Sequence, residues 1–144
     1  MMGKQVMVIE PSRTTRKLLE IFLQRDGHPA VLFDDYAKAI KALSLPGFQI
    51  QPPDLVFVAL HPDVKDSYRL LAYLRRQRSY ANTTIIAMIT QEESTHIELQ
   101  SVVQAAQAIT LIKPVRIQDV LTLVSSAPEH VVYNLFEATP RKVR

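Results

Sequence analysis

Apolar runs of strand length alternate along this chain with stretches of helical period. The first run, Val6-Met7-Val8-Ile9, is continuous rather than alternating, which is the pattern of a strand covered on both faces. It ends at Glu10-Pro11. Ser12 is placed to cap a helix with Leu18, Leu19, Phe22 and Leu23 on one face, and Asp26-Gly27 supplies a stop. Ala30-Val31-Leu32-Phe33 then reads as a second strand, and Asp35 to about Leu43 as a second helix. The stretch from Pro46 to Pro53 is polar and proline-rich, which predicts a loop. Leu55-Val56-Phe57-Val58-Ala59-Leu60 is the most apolar run and is expected at the centre of a sheet, followed by a helix carrying Leu70, Leu71 and Leu74. Ile85 to Ile89 is a fourth strand, about Glu92 to Ala106 a helix, Ile109 to Ile112 a fifth strand, and Val120, Leu121 and Val124 mark a last helix.

This rhythm predicts an α/β fold, a doubly wound parallel sheet with helices on both faces. With 144 residues, 47% of them hydrophobic and 22% charged, the chain suits one domain with a real core. We place that domain at residues 1–126 and a C-terminal extension or linker at 127–144. The extension contains Val131, Val132, Tyr133, Leu135 and Phe136, so it is expected to pack on its own domain or to dock on a second subunit.

The net charge of +3, from 17 basic against 14 acidic residues, is too small and too dispersed to mark a nucleic-acid surface; Arg141, Lys142 and Arg144 read as a solvated end. Without cysteine there is no disulfide, thiolate metal site or cysteine nucleophile. The apolar run after Gln5 is too short for a signal-peptide core or a membrane span, so a soluble, cytoplasmic protein is expected.

In an open parallel sheet, ligands bind outside the carboxyl ends of the strands. The residues there are Glu10, Asp34 and Asp35, Ala59 through Asp63, Thr90, and Lys113-Pro114. A dinucleotide or P-loop site needs glycines in the first strand-to-helix turn; the only glycines are Gly3, Gly27 and Gly47, none of them there. Ser12, Thr14, Thr90 and His61 form no nucleophile elbow or triad spacing, and no enzyme is expected.

The order of motifs in Val6 to Leu19, Pro53 to Arg75 and Ile109 to Pro114 resembles the response-regulator receiver family, of the chemotaxis-regulator kind. That resemblance implies a flavodoxin-like three-layer fold with strand order 2-1-3-4-5. In the family, an acidic pair after the first strand and an aspartate after the third hold Mg²⁺, and that aspartate becomes phosphorylated. A Thr or Ser after the fourth strand and a Lys before a proline after the fifth contact the phosphoryl group. Carried over by position, Glu10 keeps the first acidic place, Pro11 takes the second, and Ala59 stands at the acceptor aspartate. Thr90 fits the switch hydroxyl, with Ile89 fitting one residue earlier; Lys113-Pro114 is kept, Ser67 replaces a glycine, and Thr110 stands for the usual aromatic residue.

The resemblance therefore implies a degenerate pseudo-receiver in two-component, phosphorelay-type signalling, acting by phosphorylation-independent protein-protein interaction. It implies no cofactor, with Mg²⁺ binding lost or weak. The partners it implies are a histidine kinase or an output protein, and a homodimer through the fourth and fifth helices (Ile97, Leu99, Val102, Val103 and the last helix), with neither nucleic acid nor membrane. Lys113 either pairs with Glu10 or is a solvated remnant. Two alternatives stand beside this reading: a genuine phosphorelay receiver using Asp63 as acceptor, and a small-molecule or metal sensor built on Glu10, His61, Asp63 and Lys113.

Overall fold

The computed structural model describes residues 3–127 and the backbone of residues 131–133 and 140–142. Five apolar runs become parallel strands: β1 (Val6–Ile9), β2 (Ala30–Phe33), β3 (Leu55–Ala59), β4 (Thr84–Ile89) and β5 (Ile109–Ile112). They hydrogen-bond in the order β2-β1-β3-β4-β5, so the most apolar run lies at the centre, as its composition predicts. All five residues of β3 are fully buried.

The helices are α1 (Arg13–Arg25), α2 (Tyr36–Leu43), α3 (Pro46–Ile50), α4 (Lys65–Arg76), α5 (Ile97–Ala105) and α6 (Ile117–Ser126). Because side chains alternate along a strand, the sheet builds two cores. Val6, Val8, Leu55, Phe57 and Ala59 pack with Leu19 and Leu23 of α1 and Val120 and Val124 of α6. Met7, Ile9, Val56 and Val58 pack on the other face with Ala39 and Leu43 of α2, Leu70, Leu71 and Leu74 of α4, and Leu99 of α5. This is the three-layer, doubly wound architecture.

The caps fall where the sequence places them. Ser12 Oγ accepts from the Thr15 amide at 3.4 Å and Asp35 Oδ2 from the Lys38 amide at 3.1 Å, while Gly27, at φ 75°, ends α1 in the left-handed region. Gly3 is required for a different reason: a Cβ there would come within 2.1 Å of the Gly27 carbonyl oxygen.

Three expectations are corrected. The proline-rich connection is not wholly loop, since Pro46 opens the one-turn α3, where its missing N–H costs nothing. The helix expected over Glu92–Ala106 is broken: a 3₁₀ turn covers Glu93–Thr95, His96 is extended at φ −75° and ψ 120°, and α5 begins after it with His96 Nδ1 accepting from the Leu99 amide. Leu18, grouped with Leu19, Phe22 and Leu23 on one face of its helix, is 38% exposed, while Leu19 and Leu23 are fully buried.

In the C-terminal extension, β6 (Val131–Tyr133) and β7 (Pro140–Lys142) pair antiparallel with Val131 opposite Lys142. The expected packing of Leu135 and Phe136, and the terminal Arg144, lie outside the described residues. No helix among the described residues is long and apolar enough to cross a membrane.

Two cations collect the carbonyls that helices and turns leave unpaired. Lys4 Nζ donates to the Val124, Ser125 and Ala127 carbonyls at the end of α6, where the helix dipole favours positive charge. At the end of α4 the Arg75 guanidinium donates to Ala106 O just past α5, to Tyr80 O and Ala81 O at 3.3 and 3.4 Å, and to Thr83 O at 3.1 Å. Burial lowers the Arg75 pKa below the usual guanidinium range, and the guanidinium remains a cation at neutral pH. Arg75→Met keeps the apolar stem and deletes the donors; we expect a loss of about 2–3 kcal/mol, read as a lower urea midpoint at unchanged m-value.

Candidate functional site

Parallel register brings four strand ends to one edge. Ile9 of β1 lies beside Val58 of β3, Ala59 beside Met88 of β4, and Ile89 beside Ile112 of β5. Glu10 and Lys113 are the next residues along β1 and β5, so two strands that never touch deliver opposite charges to a common crevice.

Glu10 is 1% exposed, and its Oε1 accepts from Lys113 Nζ at 2.5 Å. Its Oε2 accepts from the Ser12 amide at 3.1 Å, so both carboxylate oxygens are engaged. The expected Glu10–Lys113 pair is present, and Lys113 is no solvated remnant: its side chain is only 16% exposed. The Arg16 guanidinium donates to the Glu10 and Pro11 carbonyls at 2.8 and 3.3 Å, holding α1 against this turn, while the Pro11 ring faces solvent.

Ala59 is fully buried, and its methyl belongs to the apolar cluster under α1 and α6. Its carbonyl accepts from the Tyr36 hydroxyl at 2.5 Å. Tyr36 is 4% exposed, and its pKa is raised well above 10, first by burial and then by the negative charges of Glu10 and Glu93. The phenol therefore stays protonated and remains a donor. Sequence reasoning passed over it. The available signal was an aromatic residue with a polar tip at the first helical position after a strand end.

Ile89 lies within β4, 2% exposed, and Thr90 is the first residue beyond it. The Thr90 hydroxyl is occupied: Oγ1 accepts from the Glu93 amide at 3.1 Å while Glu93 Oε1 accepts from the Thr90 amide at 2.8 Å. This is a capping box, and the Thr-x-x-Glu spacing of Thr90 to Glu93 is its signature. Glu93 Oε2 also accepts from His61 Nδ1 at 3.1 Å, so one carboxylate clasps the turn after β4 to the turn after β3. Burial opposes the Glu93 charge, but the Thr90 amide, the His61 ring and the Thr90 hydroxyl outweigh it and hold the pKa below 4.5.

His61 is thus turned toward Glu93 and away from Glu10. Its own amide donates to Ser67 Oγ at 3.1 Å, and Ser67, fully buried, donates to Val64 O at 2.7 Å. Asp63 lies on the exposed turn between them. Among the described residues no three His, Cys, Asp or Glu side chains are grouped to hold a metal. Asp54, at the opposite end of β3, accepts from the Gln5 amide at 2.7 Å and is remote from the crevice.

No protein-family model matches the chain, and no curated protein matches it. Solved structures do share its fold. The chemotaxis protein CheY4 of Vibrio cholerae is 20% identical with a TM-score of 0.71, over 88% of this chain and 99% of that one. The receiver domain of the Pseudomonas aeruginosa sensor histidine kinase PA1611, solved with a magnesium ion coordinated in its active-site cleft, is 18% identical with a TM-score of 0.72, over 87% and 97%. A response regulator protein of Burkholderia multivorans is 24% identical with a TM-score of 0.68, over 87% and 94%. These likenesses establish a receiver-type fold.

Removing one partner of the crevice pair strands a buried charge. Lys113→Met is expected to cost about 3 kcal/mol in chemical denaturation, and adding Glu10→Gln to it to restore a substantial part. Glu93→Gln tests the clasp by its pH dependence. A carboxylate whose folded pKa is depressed contributes above its unfolded value of 4.5 and loses that contribution as pH falls through the folded value. The stability gap between wild type and Glu93→Gln should be full at neutral pH and close on acidification in that window.

Proposed function

We propose that this chain is a receiver module of two-component signalling that works by binding other proteins without being phosphorylated. The observation carrying this reading is Ala59. The strand end where the receiver family keeps its acceptor aspartate holds a buried methyl group, which offers no oxygen for a phosphoryl group. The lysine of the family's phosphate pocket is already satisfied by Glu10, and the Thr90 hydroxyl is engaged with Glu93.

Mg²⁺ does not fit this donor set. It requires hard oxygen ligands, several of them charged, and of the three acids that hold it in the family only Glu10 remains, with both oxygens engaged. In this reading the module has no cofactor and no enzymatic activity, and it acts in the cytoplasm on a histidine kinase, an output protein or a second copy of itself. The surface suited to such contacts includes Ile97, which stands 80% exposed at the start of α5.

Incubation with acetyl phosphate and Mg²⁺, followed by intact-mass analysis and amide NMR, tests the reading directly. The expected outcome is an unchanged mass and an unchanged spectrum. A phosphoryl group that is lost in alkali would sink it, and its position would decide what replaces it, since modification of Asp63 would make the chain a phosphorelay receiver with an exposed acceptor.

A further inference from the structure

α4 and α5 run side by side on one face of the sheet and are tied at both ends. Near their starts Lys65 pairs with Glu98, and the Lys65 ammonium also lies 4.8 Å from the centre of the Tyr68 ring. Near their ends the Arg75 guanidinium donates to Ala106 O. Between these ties the facing residues are small, and the helices leave an open groove of about 430 Å³ walled by Tyr68, Arg69, Ala72, Arg76, Val102 and Ala105.

The polar groups on this groove are donors. The Tyr68 hydroxyl is buried and has no hydrogen-bond partner among the described residues, an arrangement rare enough to need a reason. Burial first, and then the charge of Glu98, raise the Tyr68 pKa, so the hydroxyl keeps its proton and lacks an acceptor. Arg76 is exposed with no ion-pair partner among the described residues, and Arg69 is shared only with Asp66 at 2.6 Å. Arg69 and Arg76 therefore line the groove against that single aspartate, while Arg75 is committed to backbone carbonyls.

The groove offers side chains only, because the backbone of both helices is already hydrogen-bonded. An occupant must therefore satisfy its own backbone, which favours a helix over an extended strand. Arg69 and Arg76, both exposed on the groove, are seven residues apart on α4, about 10 Å along its axis and on one face. A helix lying along the groove meets both with acceptors about two turns apart and places apolar side chains on Ala72, Val102 and Ala105 between them.

Resting on the reading of the chain as a docking module, we infer that the α4–α5 groove receives an acidic amphipathic helix of a partner protein. Its carboxylates answer Arg69 and Arg76, and its apolar side chains fill the space over the alanines.

The test is an amide NMR titration of the full chain with a capped helical peptide. The peptide carries glutamates about seven residues apart and leucines about three and four residues after the first, on one face. Saturable shifts centred on Tyr68, Ala72, Val102 and Ala105 are expected. Arg76→Gln should weaken binding about tenfold, and Ala105→Leu, at an exposed position, should abolish the groove shifts while leaving the rest of the spectrum in place. Replacing the glutamates by lysines should remove binding. Absence of saturable shifts, equal binding of the lysine peptide, or binding unaffected by Ala105→Leu overturns the inference. Shifts mapping to another face overturn the groove while leaving the docking reading intact. That reading fails separately, if the same sample takes up a phosphoryl group from acetyl phosphate.

Discussion

A carboxylate that is 1% exposed cannot be left alone in a protein interior, and the crevice of this chain is organised around that constraint. Glu10 sits at the end of β1, walled in by the turns that follow the neighbouring strands. Water is excluded, so its charge must be answered from within. Lys113 answers it from β5, two strands beyond β1's neighbour β3 in the sheet, and the Ser12 amide takes the other oxygen while also starting α1. The pair therefore joins β1 to the edge strand β5 across β3 and β4, fixing where the turn after each one ends. Such a pair is not strong evidence of net stabilisation, since its desolvation offsets much of its attraction. Its effect is to make every arrangement that separates the two charges expensive.

The second fixed point is Glu93. It closes the capping box with Thr90 and reaches His61, so the turns after β3 and β4 move only together. Tyr36 adds a third tie by donating to the Ala59 carbonyl from α2. These ties engage Lys113 with Glu10, the Thr90 hydroxyl oxygen with the Glu93 amide, and the Ala59 carbonyl with Tyr36. On the proposed reading, the alanine at position 59 is matched by its surroundings, whose polar groups are tied to one another.

Much of this was legible in the sequence, for identifiable reasons. The five strands are largely apolar runs bounded by polar or charged residues, and the structure places each within a residue of its predicted bounds. The Glu10–Lys113 pair was legible because both residues directly follow strands and so must lie on one edge. What was missed depends on choices between competing local signals. Pro46 reads as a loop marker beside Pro52 and Pro53, yet at the first helical position it is a start signal. The helix expected from Glu92 starts late because Thr90 and Glu93 cap a short turn first and His96 then caps α5 afresh. Leu18 satisfied an apolar period without being buried, because period constrains a face only to within a turn. The Tyr36–Ala59 and His61–Glu93 contacts were not legible, since their partners come from different strand ends, whereas the Thr90–Glu93 capping box is encoded in its spacing.

The closed crevice also limits how this chain can be regulated. A phosphoryl group shifts an ordinary two-state domain because it interacts differently with the two states, and only such a differential interaction can move the equilibrium. Here the charges that would sense it are paired within the same chain. An internal pair needs no ligand, so it holds one conformation without being switched by one. On the proposed reading, a change of state comes from a partner whose affinity differs between conformations, and moving a population from 1:99 to 99:1 requires a difference of about 5.5 kcal/mol. An interface of ordinary size with a few buried anchors can supply that. On the proposed reading, the input that receivers take as a covalent group is taken by this chain as a surface contact.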